Sequence, residues 1–165
     1  IAKLRKCSDL VFDSHLMISE PVKYIEAFVD AGVNHVTFHI EVCDKPEQIV
    51  EKLHKMGCTA GICLNPETPA EAVKDVAPLC EMVLVMTVRP GFGGQAFMPD
   101  AAKKVAQVRE IVGPGVRVEV DGGIDAETTP IVVSYGADTL VAGNAIFGQQ
   151  DRVGAIEGIR RAAVK

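Results

Sequence analysis

Short apolar runs alternate with helical patterns along the whole chain, and this alternation limits the fold more than any other feature. Runs that read as strands begin near residues 10, 35, 59, 82, 116 and 138. They recur at roughly 22–25 residues, with one longer interval that holds a glycine-rich loop. The strand segments are 10–17, 35–41, 59–65, 82–88, 116–123 and 138–143. Between them lie helical patterns with start and stop signals. Ser19 reads as an N-cap ahead of Ile25, Phe28 and Val29, and Gly32 as the stop. Asp44, Pro46 and Glu47 open a helix with Ile49, Val50, Leu53 and Met56 that ends at Gly57. Thr68 and Glu71 have capping-box spacing, with Pro69 at the first helical position. Val105, Val108, Ile111 and Val112 mark a further helix. Pro130 lies inside a pattern over 126–135 and leaves its start open. A turn of helix over 144–148 and a helix over 151–162 close the chain. Six strand–helix units of this kind predict a parallel sheet with helices outside it.

Side-chain parity then chooses between a doubly wound sheet and a closed barrel. In His35–Glu41, His35, Thr37, His39 and Glu41 share one face, and Val36, Phe38 and Ile40 the other. In Val116–Gly123, Arg117, Glu119 and Asp121 alternate with Val116, Val118 and Val120. Asp13, His15 and Met17 share a parity in the first strand. A doubly wound sheet is covered by helices on both faces and wants strands that are apolar on both. A barrel has a lumen that accepts the polar parity, with the valines turned out to the helices. The barrel is the expectation. A complete one has eight units and six are visible. Ile1, Leu4 and the basic residues around them read as the last turns of a helix, so two βα units are expected to be absent from the N-terminal side. Residues 1–165 then form a single domain, the C-terminal three-quarters of a (β/α)8 barrel.

Composition narrows the partners. Seventeen Lys/Arg against 22 Asp/Glu give a formal charge of −5, with no basic run, which argues against nucleic acid. No apolar stretch spans a bilayer and no signal peptide is present, so no membrane is expected. The five cysteines are scattered and form no CxxC pair. They read as reduced thiols of a cytoplasmic protein and not as a disulfide frame or zinc site.

Three glycine motifs end successive strands: Pro90–Gln95 (PGFGGQ), Asp121–Gly123 (DGG) and Ala142–Gly148 (AGNAIFG). Unshielded backbone N–H groups, with a helix start near Asn144, suit a phosphate. Asp121 closes its strand beside this anion site, which fits a carboxylate that meets a proton, a hydroxyl or a metal. His15, at a matching height on the first strand, makes a metal ligand pair with it; imidazole with carboxylate suits zinc, iron or manganese. His39 and Glu41, one strand over, read as structural. Met17 and Met86 read as core residues near the rim.

The segments FDSHLMI, MTVRPGFGGQAFMP, VEVDGGI and VAGNAIFG, in this order and over almost the whole chain, resemble the ribulose-phosphate 3-epimerase family. The resemblance implies a ribulose-phosphate-binding (β/α)8 barrel. It implies interconversion of D-ribulose 5-phosphate and D-xylulose 5-phosphate by metal-assisted proton transfer at C3 through an enediolate, with a homo-oligomer for the complete barrel. Asp121 matches an acid/base that is also a metal ligand, and His15 a metal ligand close to substrate. Gly91, Phe92, Gly93, Gly94, Gly122, Gly123, Gly143 and Asn144 match substrate and phosphate positions. Met17 and Met86 match methionines that line the site. Asn144 stands where the family usually has Ser. The family's early His-x-Asp pair, which supplies two metal ligands and the first acid/base, has no counterpart here, so the isolated chain is expected to be inactive. Two other readings stay open: a six-carbon ketose-phosphate epimerase or sugar-phosphate lyase on the same barrel, and a non-catalytic phosphate-binding remnant.

Overall fold

The computed structural model describes residues 1–164. Six parallel strands form one sheet in sequential order: β1 (Asp13–Leu16), β2 (His35–His39), β3 (Thr59–Leu64), β4 (Met82–Met86), β5 (Arg117–Asp121) and β6 (Thr139–Val141). Helices follow the strands: α1 (Ala2–Arg5) precedes β1, and then come α2 (Ile25–Asp30), α3 (Pro46–Lys55), α4 (Pro99–Ala102), α5 (Lys104–Val112), α6 (Thr129–Ser134), α7 (Asn144–Phe147) and α8 (Arg152–Ala162). Among the described residues no helix is long and apolar enough to cross a membrane.

Parity divides the sheet as the sequence predicts. Val36, Phe38, Ala60, Ile62, Val83, Val85, Val118 and Val120 are all buried, in one core with Ile25 of α2, Leu53 of α3, Val105 and Val108 of α5 and Val132 of α6. That cluster is the helix-facing layer. The opposite face carries a separate apolar group, Cys63, Leu84, Met86 and Val88, together with buried His35, Thr37, His39 and Glu119. The register aligns the polar parity across strands: His35 pairs with Thr59, and Met86 with Asp121. Polar groups on this face are held by one another. His35 Nδ1 lies 2.7 Å from Thr59 Oγ1, and its Nε2 3.1 Å from Thr37 Oγ1. Gly61 is required there, because a Cβ would collide with Thr37 Oγ1 and His35 Nε2.

Several local expectations are corrected. Thr68 does not cap a helix: its hydroxyl donates to Glu41 at 2.5 Å, and the following turn is a 3-10 helix, Ala70–Val73, without a side-chain cap. Ser19 does not cap either, since the chain enters a 3-10 turn at Pro21–Lys23 before α2 begins. Strand β1 is shorter than the apolar run, and Leu10 and Val11 are exposed. Pro130 marks the start of α6 and does not interrupt it. At α8 a side chain does cap: Asp151 Oδ1 accepts from Gly154 N–H at 2.9 Å, worth about 1 kcal/mol. The five cysteines are free; Cys58, Cys63 and Cys80 are buried and Cys7 is exposed.

Candidate active site

A cavity of about 600 Å³ opens at the C-terminal ends of β4, β5 and β6. Its wall includes Met17, Met86, Gly91, Phe92, Gly93, Gly94, Asp121, Gly122, Gly123, Gly143 and Asn144, eleven of the twelve residues the sequence singles out. The twelfth, His15, stands just behind it, with Nδ1 3.7 Å from Asp121 Oδ2. That Nδ1 is buried and has no hydrogen-bond partner among the described residues. Met86 is fully buried at the floor, whereas Met17 is half-exposed at the rim and Phe92 is largely exposed.

Backbone geometry explains the glycines. Gly122 has φ +127°, and a Cβ there would stand 2.7 Å from Val88 N; Gly123 has φ +65°, and a Cβ would stand 2.8 Å from Phe97 N. The turn after β5 therefore presses against the chain leaving β4, and only glycine fits both the conformation and the space. Thr87 ties the two together, donating its hydroxyl to Gly122 O at 2.6 Å. The loop over 91–94 is braced by a residue the sequence reading missed: Gln95 Nε2 donates to Arg89 O at 2.7 Å and to Phe92 O at 2.8 Å. Its neighbour positions carry the glycine signal, but nothing in the sequence marks the amide as a brace.

Two carboxylates line the cavity, Asp121 and Asp125. Asp125 is committed to a turn: its Oδ1 accepts from the N–H groups of Glu127 and Thr128, both at 2.9 Å, and the bonds from Thr128 first of all hold its pKa down. Asp121 has no such bonds, and its side chain is 24% exposed, which leaves it open to a ligand in the cavity.

The surroundings of His15 are also more organised than the sequence suggests. Its ring stacks on His39 with centroids 4.8 Å apart, and the two Nε2 atoms approach to 2.8 Å. His39 Nδ1 lies 3.3 Å from Glu41 Oε2. Glu41 Oε1 in turn accepts from Asn65 N–H at 2.7 Å and from the Thr68 hydroxyl. Burial works against the charge of Glu41, but the hydrogen bonds from His39, Asn65 and Thr68 prevail and hold its pKa at about 2. The Cys63 thiol lies nearby, within 4.8 Å of the ring nitrogens of His15 and His39, and burial pushes its pKa well up. The sequence places His39 and Glu41 on one face of β2 but does not show that His15 leans across to them. The register pairs His15 with Thr37, which makes His39 its diagonal neighbour.

A parallel α/β sheet with helices on one face and a glycine-lined cavity at the C-terminal ends of its strands defines a fold of the barrel-forming α/β class. Residues 1–147 match the family described as the Ribulose-phosphate 3 epimerase family. The chain is 40% identical over 164 residues to the ribulose-phosphate 3-epimerase of Bacillus subtilis (strain 168), covering 97% of this chain and 76% of that one. It is also 40% identical over 168 residues to a relative in Oryza sativa subsp. japonica named "Ribulose-phosphate 3-epimerase, cytoplasmic isoform", covering 98% and 72%. Among solved structures, that of a 3-hexulose-6-phosphate synthase superimposes with a TM-score of 0.76 at 23% identity, covering 99% of this chain and 79% of that one. The chain belongs to the ribulose-phosphate 3-epimerase family.

Proposed function

We propose that this chain carries the acid/base and phosphate-binding part of a site that epimerises D-ribulose 5-phosphate and D-xylulose 5-phosphate at C3. The observation that carries the reading is the facing pair His15 Nδ1 and Asp121 Oδ2 at the cavity's edge, one buried without a partner and the other uncommitted. An unpartnered buried imidazole nitrogen beside a free carboxylate oxygen fits a divalent cation, and this donor set suits zinc, iron or manganese. Such an ion, when bound, makes a carbon-bound proton next to a carbonyl more acidic.

The rest is supplied by this chain. Asp121 takes the C3 proton or returns it from its side of the sugar. The N–H groups of the glycine turns at 91–94, 122–123 and 143–144 hold the phosphate, and Asn144 joins them through its backbone. Met17 and Met86 give the reacting carbons an apolar wall that keeps water from competing for the proton. The strand order and the polar inner face support a (β/α)8 barrel of the ribulose-phosphate-binding type, with residues 1–165 as a single domain that supplies six of its strands. Family membership favours a five-carbon substrate over the six-carbon and lyase readings. The likeness to the rice relative fits a cytoplasmic protein.

Epimerisation needs a proton carrier on each face of the carbon. Among the described residues Asp121 is the one cavity carboxylate not tied up in other bonds. Residues 1–165 by themselves are therefore read as inactive in epimerisation, with the C3 proton exchanged at Asp121 but the centre not inverted. The test supplies the chain with zinc, manganese or iron and pentulose 5-phosphate in deuterated water, and follows the C3 proton and the second epimer by NMR. Metal-dependent loss of the C3 signal without the second epimer supports the reading. No exchange with any of the three metals removes Asp121 from the chemistry, and full equilibration of the epimers overturns the single-carboxylate account.

A further inference from the structure

Every carboxylate oxygen accepts and none donates when ionised, so Glu41 fixes the proton on His39. Glu41 is held ionised by its three hydrogen bonds, and the ring nitrogen facing it at 3.3 Å is His39 Nδ1. A neutral His39 must then carry its proton on Nδ1 and present Nε2 as a bare acceptor. That bare Nε2 lies 2.8 Å from His15 Nε2. Two bare nitrogens at this distance repel, so the proton of His15 sits on Nε2 and points at His39. A neutral imidazole has one proton, and His15 Nδ1 is therefore bare. This is the nitrogen that is buried, unpartnered and turned toward Asp121.

The structure assigns to His39, held by Glu41, the role of a positioning residue that locks His15 in the tautomer whose lone pair faces Asp121. The relay runs from Asn65 and Thr68 through Glu41 and His39 to His15, and each link is a hydrogen bond whose donor is dictated by the one before. It rests on the reading of His15 and Asp121 as the cation-binding pair only for its purpose; the tautomer itself does not depend on any ion. A ligand imidazole oriented through its second nitrogen is a recurrent arrangement, and loss of the orienting partner typically costs about 10–100-fold in metal affinity.

The same residues allow a competing arrangement, an ion held by His15, His39 and Cys63, whose ligand atoms all lie within 4.8 Å of one another. Distance decides against it. Two imidazole nitrogens bound tetrahedrally to zinc at about 2.0–2.1 Å stand roughly 3.3 Å apart. The observed 2.8 Å is the length of a hydrogen bond.

Two-bond proton–nitrogen correlation spectra of the metal-free, 15N-labelled chain read each ring nitrogen directly. The expected pattern is His15 with the proton on Nε2 and His39 with the proton on Nδ1. His39→Phe keeps a stacked ring but removes the acceptor: His15 should lose its single tautomer, and Mn2+ affinity should fall about 10–100-fold. His39→Gln returns an acceptor oxygen, and should restore the His15 tautomer and bring Mn2+ affinity back to within a few-fold of the parent. A metal-free spectrum with the His15 proton on Nδ1 overturns the proposal, as does an unchanged His15 tautomer in His39→Phe. So does zinc bound through His15 Nε2 and lost in Cys63→Ser. If the tautomers behave as expected while the parent binds no metal, the relay stands and it is the cation-binding reading of His15 and Asp121 that fails.

Discussion

Replacing Glu119 by Gln should make the protein more stable at neutral pH, although it removes a charged residue type from the interior. Glu119 lies on the inner face of β5, 5% exposed, between Leu84 of β4 and Thr139 of β6 in the register. Burial first, then the nearby Asp13 and Asp121, push its pKa from 4.5 up to about 8, with Arg117 opposing. A carboxyl with a raised folded-state pKa is held neutral in the native protein but ionises freely once unfolded. Its share of stability is therefore fully present below pH 4.5 and is lost progressively as the pH rises toward 8. At about 1.4 kcal/mol for each factor of ten in proton affinity, the loss is about 3 kcal/mol at pH 7 and nears about 5 kcal/mol above pH 8. Gln keeps the shape and a donor and titrates in neither state, so it escapes this loss. Urea or thermal unfolding of parent and Glu119→Gln from pH 4.5 to 9 tests the reasoning. The two should be alike at pH 4.5 and about 2–4 kcal/mol apart at pH 7, equivalent to a midpoint rise of about 5–15 °C. A constant difference across that range, or a variant less stable at pH 7, would refute the account of Glu119 as a buried neutral acid.

Three further outcomes are expected. Asp121→Asn should lower metal-dependent exchange of the C3 proton by about a hundred- to ten-thousand-fold while leaving inorganic phosphate binding largely intact, because the amide keeps the shape but carries no exchangeable acid proton at neutral pH; near-normal exchange would count against it. Gly122→Ala should cost about 2–5 kcal/mol and weaken phosphate binding, since it combines φ +127° with a Cβ 2.7 Å from Val88 N; chemical denaturation and phosphate titration read both. Lys104→Met should cost about 2–3 kcal/mol and loosen the turn after β3. Lys104 Nζ donates to Asn65 O at 2.7 Å, Pro66 O at 2.9 Å and Thr68 O, and hydrogen exchange over residues 65–68 shows whether those carbonyls were held.

The sheet was legible because strand parity is a local property that burial does not rewrite. Val118 and Val120 turn to the helices, and Glu119 and Asp121 to the inner face, as alternation requires. The glycine turns were legible too, since φ +127° at Gly122 and +65° at Gly123 leave the chain no other residue. What the sequence hides is competition for side chains across long separations. Thr68 has the local pattern of a cap, but Glu41, 27 residues away, takes its hydroxyl. His39 reads as an ordinary strand histidine until the β1–β2 register brings His15 diagonally against it. Local pattern fixes which face a residue shares; only packing decides which partner it finds there.

Why β5 ends on a carboxylate follows from the gradient of exposure along that one face. Arg117 is exposed at the start of the strand, Glu119 is buried in the middle, and Asp121 is partly open at the far end. A proton carrier must reach both its substrate and a source of protons. Glu119 reaches neither: it is sealed between strands, and its high pKa reflects that isolation. Asp121 stands two residues further on, where the strand ends and its carboxylate lines the cavity. There the same chemical group meets the unpartnered Nδ1 of His15, the glycine turns and the open space of the cavity. Moving a carboxylate by one pleat pair along the strand thus converts a buried liability into a group placed to exchange protons. The role of Asp121 is set by its height on β5 as much as by its chemistry.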